Sequence, residues 1–414
     1  MTQNEKYNIA KSIYQKYGVD VDQAIQTLKQ TPISIQCWQG DDVKGFYSNE
    51  ALSGGISVTG NYPFRARTIE ELRSDLEVVF QLVPFKHRVN LHAIYLDTKD
   101  KIELDEIEPK HFESWVIWAK KEGIGLDFNP TLFSHPMAAS GFTLSSNDEH
   151  IRSFWVRHVK QSRKVAQYFG ETLGIETVCN LWIPDGYKDT PYSRLAPRIQ
   201  LQKSLNEIYT SKLNRVVDTL ESKLFGIGAE SYTTGSHEFY MGYAIKHNLG
   251  LCLDLGHFHP TEQVSDKLSA MSLYVDHLLL HVSRPVRWDS DHVVTLSDDL
   301  LSVTEALVRD DLLKKTAIGL DYFDASINRI AAWVIGIRNT QKALLKALLE
   351  PKELIEKIEK AQNYTARLAY LEELKALPFG LVYDYICEVE HKPVGIDFLK
   401  KIEAYEANMK GKRP

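Results

Sequence analysis

Short runs of apolar, β-branched residues recur along the chain, and most are followed by a stretch whose apolar positions have helical spacing. Near-continuous apolar strands are typical of a parallel sheet that is covered on both faces. Eight such strands alternating with helices predict an α/β fold, a (β/α)8 TIM barrel, with a doubly wound open sheet as the alternative. The predicted strands are residues 33–39, 89–96, 123–129, 176–183, 219–226, 251–256, 278–283 and 316–322.

Helix signals separate these strands. Thr68 and Glu71 fit a capping box, in which each residue satisfies a backbone N–H at the start of a helix. Residues 147–170 have the pattern of a long amphipathic helix, and Ser297 is expected to cap another helix over 298–313. Each of these helices lies between two predicted strands, as the barrel requires.

The two ends of the chain fall outside the barrel pattern. Residues 1–30 and 346–414 alternate charged and apolar positions at helical spacing, which predicts additional N- and C-terminal helices. We therefore expect residues 1–345 to form the barrel with an N-terminal helical extension, and 346–414 a C-terminal helical extension. Both extensions are expected to contact the barrel or a neighbouring subunit.

Composition narrows the class of protein. The chain is 43% hydrophobic and 25% charged, as in ordinary globular proteins, and its net charge of −6 argues against nucleic acid and anionic membrane as partners. Its four cysteines form no CxxC pair, which favours free thiols in a reducing cytosol. We expect a cytoplasmic protein, since we see neither a signal peptide nor an apolar run near the about 18 residues of a membrane span.

Charged groups interrupt the later apolar strands, near the ends where barrel enzymes place reactive groups. Glu221 and Lys223 share one face of the fifth predicted strand. A buried charge is costly unless it is paired or bound to metal, so an ion pair between these two residues is the alternative to a metal site. Asp254 and His257 flank a chain reversal at Gly256, where the aspartate could instead cap a helix.

The last two predicted strands continue this series. His281 lies in an apolar run, where a core histidine is the alternative to a ligand. Asp289 and Asp291 have spacing that can chelate a hard cation, although aspartates also favour surface turns. At the end of the eighth strand we expect Asp321 to be the ligand and Asp324 the cap of the next helix.

Four successive strands therefore each place an Asp, Glu or His at one rim of the barrel. If these residues had purely structural roles, four unrelated roles would have to coincide at that rim. Mixed carboxylate and imidazole ligands suit manganese, magnesium, cobalt or zinc. Aromatic and polar groups end other strands: Trp38, His92, Phe128 and Trp182. Such groups suit a sugar, with its apolar C–H faces and hydroxyl edges, although the tryptophans could simply fill the barrel.

Longer motifs carry a family resemblance over nearly the whole chain. The chain resembles the L-rhamnose isomerase family of xylose-isomerase-like barrel enzymes. The motifs include CWQGDD at 37–42, NLHAIYL at 90–96, NLWIPDGYKD at 180–189, LDLGHFHPTE at 253–262 and HVSRPVRWDSDHVV at 281–294. The loop at 43–58 matches less well, which leaves open its part in the substrate range.

The resemblance implies two divalent metal ions per subunit, Mn²⁺ first, with Co²⁺, Mg²⁺ or Zn²⁺ as alternatives. A structural ion would use Asp254 together with Glu221, His281 and Asp321. A catalytic ion would use the ligands His257, Asp289 and Asp291, with Asp254 as a bridge between the two ions.

The resemblance also implies a reaction: isomerisation of the aldose L-rhamnose to the ketose L-rhamnulose by a metal-mediated 1,2-hydride shift, in a homotetramer. Residue types alone also allow an enediol route with a carboxylate base. Lys223 would lie near the substrate carbonyl, and His92 would assist ring opening. Asp289 is the third residue expected to take part in catalysis. The residues expected to contact substrate are Trp38, Phe128, Trp182 and His257.

Two other classes of function remain open. A metal-dependent phosphoesterase on the same barrel could use similar ligands, but it would be expected to carry a basic groove for phosphates. A non-catalytic sugar-binding barrel would be expected to lose ligands, and the set of ligands is intact.

Overall fold

Eight parallel strands close into a barrel. The computed structural model describes residues 1–48, 51–224, 230–286 and 288–413. Each strand pairs in parallel with the next along the chain, and the last pairs with the first, as in the register of Ile33 with Ile318. The open-sheet alternative is therefore wrong. The barrel strands are β1 (Ile33–Gln36), β2 (Arg88–His92), β3 (Gly125–Asn129), β4 (Thr177–Leu181), β5 (Val216–Glu221), β6 (Gly250–Asp254), β7 (Leu278–Val282) and β8 (Thr316–Leu320).

Helices surround the barrel, and further helices lie near the N- and C-terminal ends of the chain. None of the described helices is long and apolar enough to cross a membrane. The helices are α1 (Gln3–Gln15), α2 (Val21–Lys29), α3 (Ile69–Leu82), α4 (Glu113–Glu122), α5 (Glu149–Leu173), α6 (Leu195–Ile208), α7 (His237–His247), α8 (Val264–Ser272), α9 (Asp298–Arg309), α10 (Arg329–Leu348), α11 (Lys352–Lys360), α12 (Tyr364–Lys375), α13 (Phe379–Val389) and α14 (Phe398–Met409).

Two short antiparallel pairs lie outside the barrel. Gly186–Tyr187 pairs with Tyr232–Thr233, and Arg284–Val286 pairs with Trp288–His292. The second pair places Asp289 and Asp291 in a short ribbon that follows β7, rather than in the surface turn that was the alternative for them.

The predicted strands are found, but several are shorter than predicted. The chain turns into 3₁₀ helices at Cys37–Gly40 and Ala93–Tyr95, within two of the predicted runs. The fifth strand begins earlier than predicted and ends at Glu221, because the backbone N–H of Lys223 donates to Gly235 instead of to a strand. The predicted strand residues 225 and 226 lie outside the described part of the chain.

The predicted helices are found, with three corrections at their ends. The Thr68 hydroxyl accepts from the N–H of Glu71, as predicted, but the Glu71 carboxylate accepts from the N–H of Arg67. Ser297 caps α9, which ends at Arg309 rather than at 313. Asp324 does not cap the last barrel helix, since α10 begins at Arg329 and is capped by Asn328. The Asp324 carboxylate instead holds a turn by accepting from Ser326.

The apolar core lies between the strands and the helices, whereas the barrel interior is polar. Phe128 on β3 packs edge to face against Phe112 and Phe169, with ring centroids 5.0 and 5.6 Å apart. In the interior, the Asn90 amide donates to Asn129 at 2.9 Å. Barrels of this type usually fill their interior with branched apolar side chains. In this barrel, by contrast, inward-facing side chains such as Asn90 and Asn129 are polar.

The terminal helices pack on one another as well as on the barrel. Tyr7 of α1 stacks on Tyr385 of α13, with ring centroids 3.9 Å apart. Arg413 is buried and donates to Asp75 of α3 at 2.7 Å, which ties the C-terminal segment to the barrel helices. Residue 345 lies inside α10, so the predicted division there would cut a continuous helix. The division into two regions stays a prediction.

Candidate metal centre

Four buried side chains converge where β5, β6, β7 and β8 end. The Nδ1 atom of His281 lies 2.9 Å from Asp321 Oδ2, 3.1 Å from Glu221 Oε1 and 3.6 Å from Asp254 Oδ2. One donor atom from each of the four residues lies within 4.8 Å of the others. We call these four residues the first donor group. They are close enough to surround a single cation.

A second donor group shares Asp254 with the first and adds His257 and Asp289. His257 Nε2 lies 2.9 Å from Asp289 Oδ2, and its Nδ1 lies 3.3 Å from Glu221 Oε1. Gly256 permits this approach, because a Cβ atom at that position would lie 2.5 Å from Asp289 Oδ1. The Gly256 N–H also donates to Asp254 Oδ1 at 2.6 Å, which fixes the shared carboxylate.

The donor set fits divalent cations. Among the described residues, buried carboxylate oxygens of Asp254 (Oδ2), Asp289 (Oδ1) and Asp321 (Oδ1) have no hydrogen-bond partner. Leaving a buried carboxylate oxygen without a partner is costly. Hard cations bind such oxygens, and manganese and zinc also accept imidazole. The unpartnered oxygens are therefore consistent with cation binding at both groups.

The pKa values of the cluster show how strongly its carboxylates act on one another. Burial, opposed by His281, raises the pKa of Asp321 to about 7. Burial and the neighbouring Asp289 carboxylate raise the pKa of Asp291 well above its usual range. Burial by itself would lower the pKa of His257, but Asp254 and Asp289 raise it well above normal. Without cations, the cluster would hold protons in their place.

Asp291 occupies a different position from the other predicted ligands. It lines the cavity beside the cluster, and its backbone has a positive φ of 42°. However, neither donor group contains an Asp291 oxygen, since none lies within 4.8 Å of all the other donor atoms of a group. Its role as a ligand stays a prediction.

An aromatic cavity of about 290 Å³ opens above the two donor groups. Trp38 stacks on His92, with ring centroids 4.3 Å apart, and Trp182 meets Phe133 edge to face at 6.2 Å. Ligand cavities span about 300–1,000 Å³, so this one suits a small molecule. The loop at 43–58 reaches the cavity through Gly55, Ile56 and Ser57, and its positions 49 and 50 lie outside the described residues.

Burial sets the protonation state of His92. It lowers the pKa of this imidazole to about 3, so the ring is neutral near pH 7. His92 Nδ1 lies 3.4 Å from the Thr131 hydroxyl, and Nε2 has no hydrogen-bond partner among the described residues. A neutral ring with an unused nitrogen beside the cavity can hydrogen-bond a sugar oxygen.

Lys223 does not pair with Glu221, so the ion-pair alternative is wrong. Its Nζ donates to the Pro184 carbonyl at 2.7 Å and to the Glu230 carboxylate, and it lies 6.0 Å from the Trp182 ring centroid. The Glu230 contact was not predicted from the sequence.

The structure does not bring Phe128 to the cavity. Alternate residues of a strand face opposite sides, and Phe128 packs among the helices while its neighbour Asn129 lines the cavity. Sequence reasoning missed two positioning contacts inside the barrel. The Asn180 side-chain amide donates to Glu221 Oε2, and the Thr219 hydroxyl donates to Asn180 Oδ1 at 2.8 Å. Polar residues at alternate positions of apolar strands were the signal for them.

The fold and the site define a barrel protein with a candidate divalent-metal centre beneath an aromatic cavity. A family profile described as "RhaA: L-rhamnose isomerase" matches residues 1–413. The chain belongs to the L-rhamnose isomerase family.

Curated relatives match over the same length. The L-rhamnose isomerase of Listeria monocytogenes serovar 1/2a is 55% identical over 413 residues, covering 99% of this chain and 98% of the relative. That of Escherichia coli strain K12 is 55% identical over 412 residues, with the same coverage. Among solved structures, a xylose isomerase domain protein from Alicyclobacillus acidocaldarius aligns with a TM-score of 0.48 and 12% identity, covering 77% of this chain and 99% of that one.

Proposed function

We propose that this chain isomerises the aldose L-rhamnose to the ketose L-rhamnulose. The observation that carries the proposal is a pair of donor groups that share Asp254 at the floor of a small aromatic cavity. This arrangement can place two neighbouring sugar oxygens beside two cations. The family and the 55% identity of the L-rhamnose isomerases support L-rhamnose as the substrate.

The proposed site holds two cations, with Mn²⁺ as the first candidate and Co²⁺, Mg²⁺ or Zn²⁺ as alternatives. Glu221, Asp254, His281 and Asp321 would hold a structural ion, and His257, Asp289 and Asp291 a catalytic one. When bound, the cations polarise the sugar carbonyl and lower the pKa of the adjacent hydroxyl.

His92 prepares the sugar. Because the ring is neutral and its Nε2 is unused, it can hydrogen-bond the ring oxygen of the closed sugar and assist ring opening. Stacking against Trp38 fixes the imidazole plane. Trp182 would cover the apolar C–H face of the sugar, and His257 would contact its hydroxyls.

Lys223 would provide positive charge near the substrate carbonyl. Its ammonium group has three donors, of which two serve the Pro184 carbonyl and Glu230. One donor therefore remains to stabilise negative charge on a substrate oxygen. Both existing contacts hold the ammonium group near the Trp182 ring, 6.0 Å from its centroid.

Hydrogen transfer between C2 and C1 would proceed as a hydride shift. Four aromatic rings, those of Trp38, Phe133, Trp182 and Phe323, line the cavity and limit access of water to the sugar carbons. A shift inside such a cavity moves the hydrogen directly, whereas an enediol route exchanges it with solvent. Turnover in tritiated water checks this proposal: we expect negligible label at C1, and substantial label would contradict it.

The chain would assemble as a homotetramer in the cytoplasm. Tyr187, Tyr192, Leu195 and Ile199 leave large apolar side chains exposed on α6 and the segment before it, as subunit contacts do in an isolated chain. The four buried, free cysteines are consistent with a reducing compartment. Sedimentation velocity at micromolar concentration tests the assembly.

A coupled ketose assay tests the function. The purified chain is given a panel of aldoses with Mn²⁺, and in parallel with excess chelator. We expect turnover of L-rhamnose that depends on metal. Hydrolysis of a phosphoester without isomerisation would indicate a phosphoesterase, and sugar binding without turnover would indicate a binding protein; either result would overturn the proposal.

A further inference from the structure

A second cavity, of about 310 Å³, lies inside the barrel towards the amino-terminal ends of the strands. Its mouth includes exposed residues of the loops that enter the strands, such as Pro32 before β1 and Lys314 before β8. Its inner end reaches Asn129, which also lines the aromatic cavity. The barrel therefore has one cavity at each end, with Asn129 between them.

Small side chains on the strands leave this space open. Ala317 and Gly319 share one face of β8, and both line the cavity, as does Ser34 of β1. Barrels of this type usually fill their interior with branched apolar side chains. One water molecule takes up about 30 Å³ of liquid, whereas cavities for small molecules begin at about 300 Å³. The space is therefore large enough for a small organic molecule.

Two buried amide oxygens in the cavity wall have no hydrogen-bond partner among the described residues. They are Gln36 Oε1 and Asn90 Oδ1, on side chains of residues that are 2% and 5% exposed. Leaving a buried amide oxygen without a donor is unfavourable. Gln36 and Asn90 are partners in the register of the adjacent strands β1 and β2. A single molecule can therefore donate to both oxygens.

The rest of the wall indicates that such a molecule is uncharged. The Asp127 carboxylate accepts from the Arg88 guanidinium at 2.7 and 2.8 Å, so these two charges compensate each other, and it also accepts from the Ser34 hydroxyl at 2.6 Å. Val217 and Leu279 add apolar surface. The wall thus suits a ligand with hydroxyl donors for the amides and C–H groups for the apolar side chains.

We propose that this cavity binds a small neutral polyol, such as a five-carbon alditol. Two of its hydroxyls would donate to Gln36 Oε1 and Asn90 Oδ1, and its carbon chain would pack against Val217 and Leu279. Of the residues in the two donor groups, His281 alone lines this cavity. The polyol site therefore has its own hydrogen-bonding groups, and it does not rest on the proposed isomerase function.

Binding of xylitol to the Mn²⁺-loaded chain tests the proposal. In crystals soaked with xylitol we expect the polyol within hydrogen-bond distance of Gln36 and Asn90. In calorimetry, Gln36→Leu should weaken binding at this site about tenfold, because one hydrogen bond is lost, and should leave any binding in the aromatic cavity unchanged. Gln3→Leu is the matched control and should bind like the wild-type chain, because it also removes a buried, unpartnered amide oxygen but lies on α1.

Water alone in the cavity of the soaked crystals, or equal affinity of Gln36→Leu and the wild-type chain, would overturn the proposal. Tighter binding of inorganic phosphate than of xylitol at this site would also overturn it, since the cavity would then select anions. Should Gln36→Leu fail to fold, Ala317→Leu decides, because its larger side chain fills the cavity from β8 and should abolish xylitol binding there. Unchanged binding in Ala317→Leu would contradict the site.

Discussion

At the scale of single residues, the metal centre depends on close contacts between its side chains. Asp289 illustrates this, since one carboxylate oxygen faces His257 at 2.9 Å and the other has no hydrogen-bond partner among the described residues. The first oxygen positions an imidazole, and the second is available to a cation. The same side chain lies against Gly256, so its position also depends on a missing Cβ.

Asp289→Asn should abolish isomerisation while the fold survives. The amide keeps the size of the side chain but removes the charge that a catalytic cation needs, so we expect loss of about 100-fold or more in kcat/KM and one metal per subunit instead of two. Metal content and steady-state kinetics measure both effects. Asp266→Asn, on the exposed side of α8, is the control; wild-type turnover with one metal per subunit would contradict the assignment.

Gly256→Ala should weaken the second cation position selectively. The new methyl group would meet Asp289 Oδ1 at 2.5 Å and Asp254 Oδ1 at 3.2 Å, so the Asp289 carboxylate must move. We expect the affinity for the second equivalent of Mn²⁺ to fall about tenfold or more, measured by calorimetry. Gly242→Ala is the matched control, because a Cβ there meets no atom within 4 Å. Equal effects of the two variants would argue against this geometry.

At the scale of elements, a buried ion pair joins helix α5 to strand β5. The Arg163 guanidinium donates to both oxygens of Asp218, at 2.8 and 2.7 Å, and also to the carbonyls of Ile208 and Ser211. Both charged side chains are buried. Removing one partner leaves a buried charge without compensation, which is costly even where the intact pair adds little stability.

Arg163→Met should lower the free energy of unfolding by about 3 kcal/mol or more, because Asp218 is then buried without its partner. Lys160→Met, one turn earlier on α5, breaks the exposed pair with Glu207 and should cost less than about 1 kcal/mol. Urea unfolding measures both variants. Similar losses for the two would show that burial of the Arg163 pair does not control the docking of α5.

At the scale of the whole molecule, buried imidazoles couple stability to pH. Burial lowers the pKa of His87 and of His158 to about 4. His158 accepts from the Thr131 N–H at 3.0 Å and pairs with the Leu104 carbonyl at 2.7 Å, so the ring ties α5 to two loops as a neutral group. Below pH 6.5 the unfolded chain takes up protons at these imidazoles and the folded chain does not.

Stability should therefore fall as pH drops from about 6.5 towards 4. Each buried imidazole contributes a slope of up to about 1.4 kcal/mol per pH unit in that window. His158→Gln removes one titrating group, so its free energy of unfolding should depend on pH less steeply by that amount, measured by urea unfolding at three pH values. Parallel pH profiles for the variant and the wild-type chain would contradict the buried, neutral state of His158.

The barrel and most of the metal centre follow from the sequence. Eight alternations of strand and helix leave few topologies, and parallel strands end at one rim. Glu221, Asp254, His281 and Asp321 therefore had to meet once the barrel closed. The family and its reaction were also evident from motifs in sequence. The closed barrel confirms the predicted fold.

Contacts between groups that are distant in the chain became evident from the tertiary structure. Phe128 packs among the helices and Asn129 lines the cavity, whereas Phe128 was predicted to contact substrate. The Lys223 ammonium donates to Glu230, and Cys252 lies near His281 because β6 and β7 are neighbours in the closed barrel. The physical reason is that contacts between residues far apart in the chain depend on the register of the strands, which the composition of each strand does not encode.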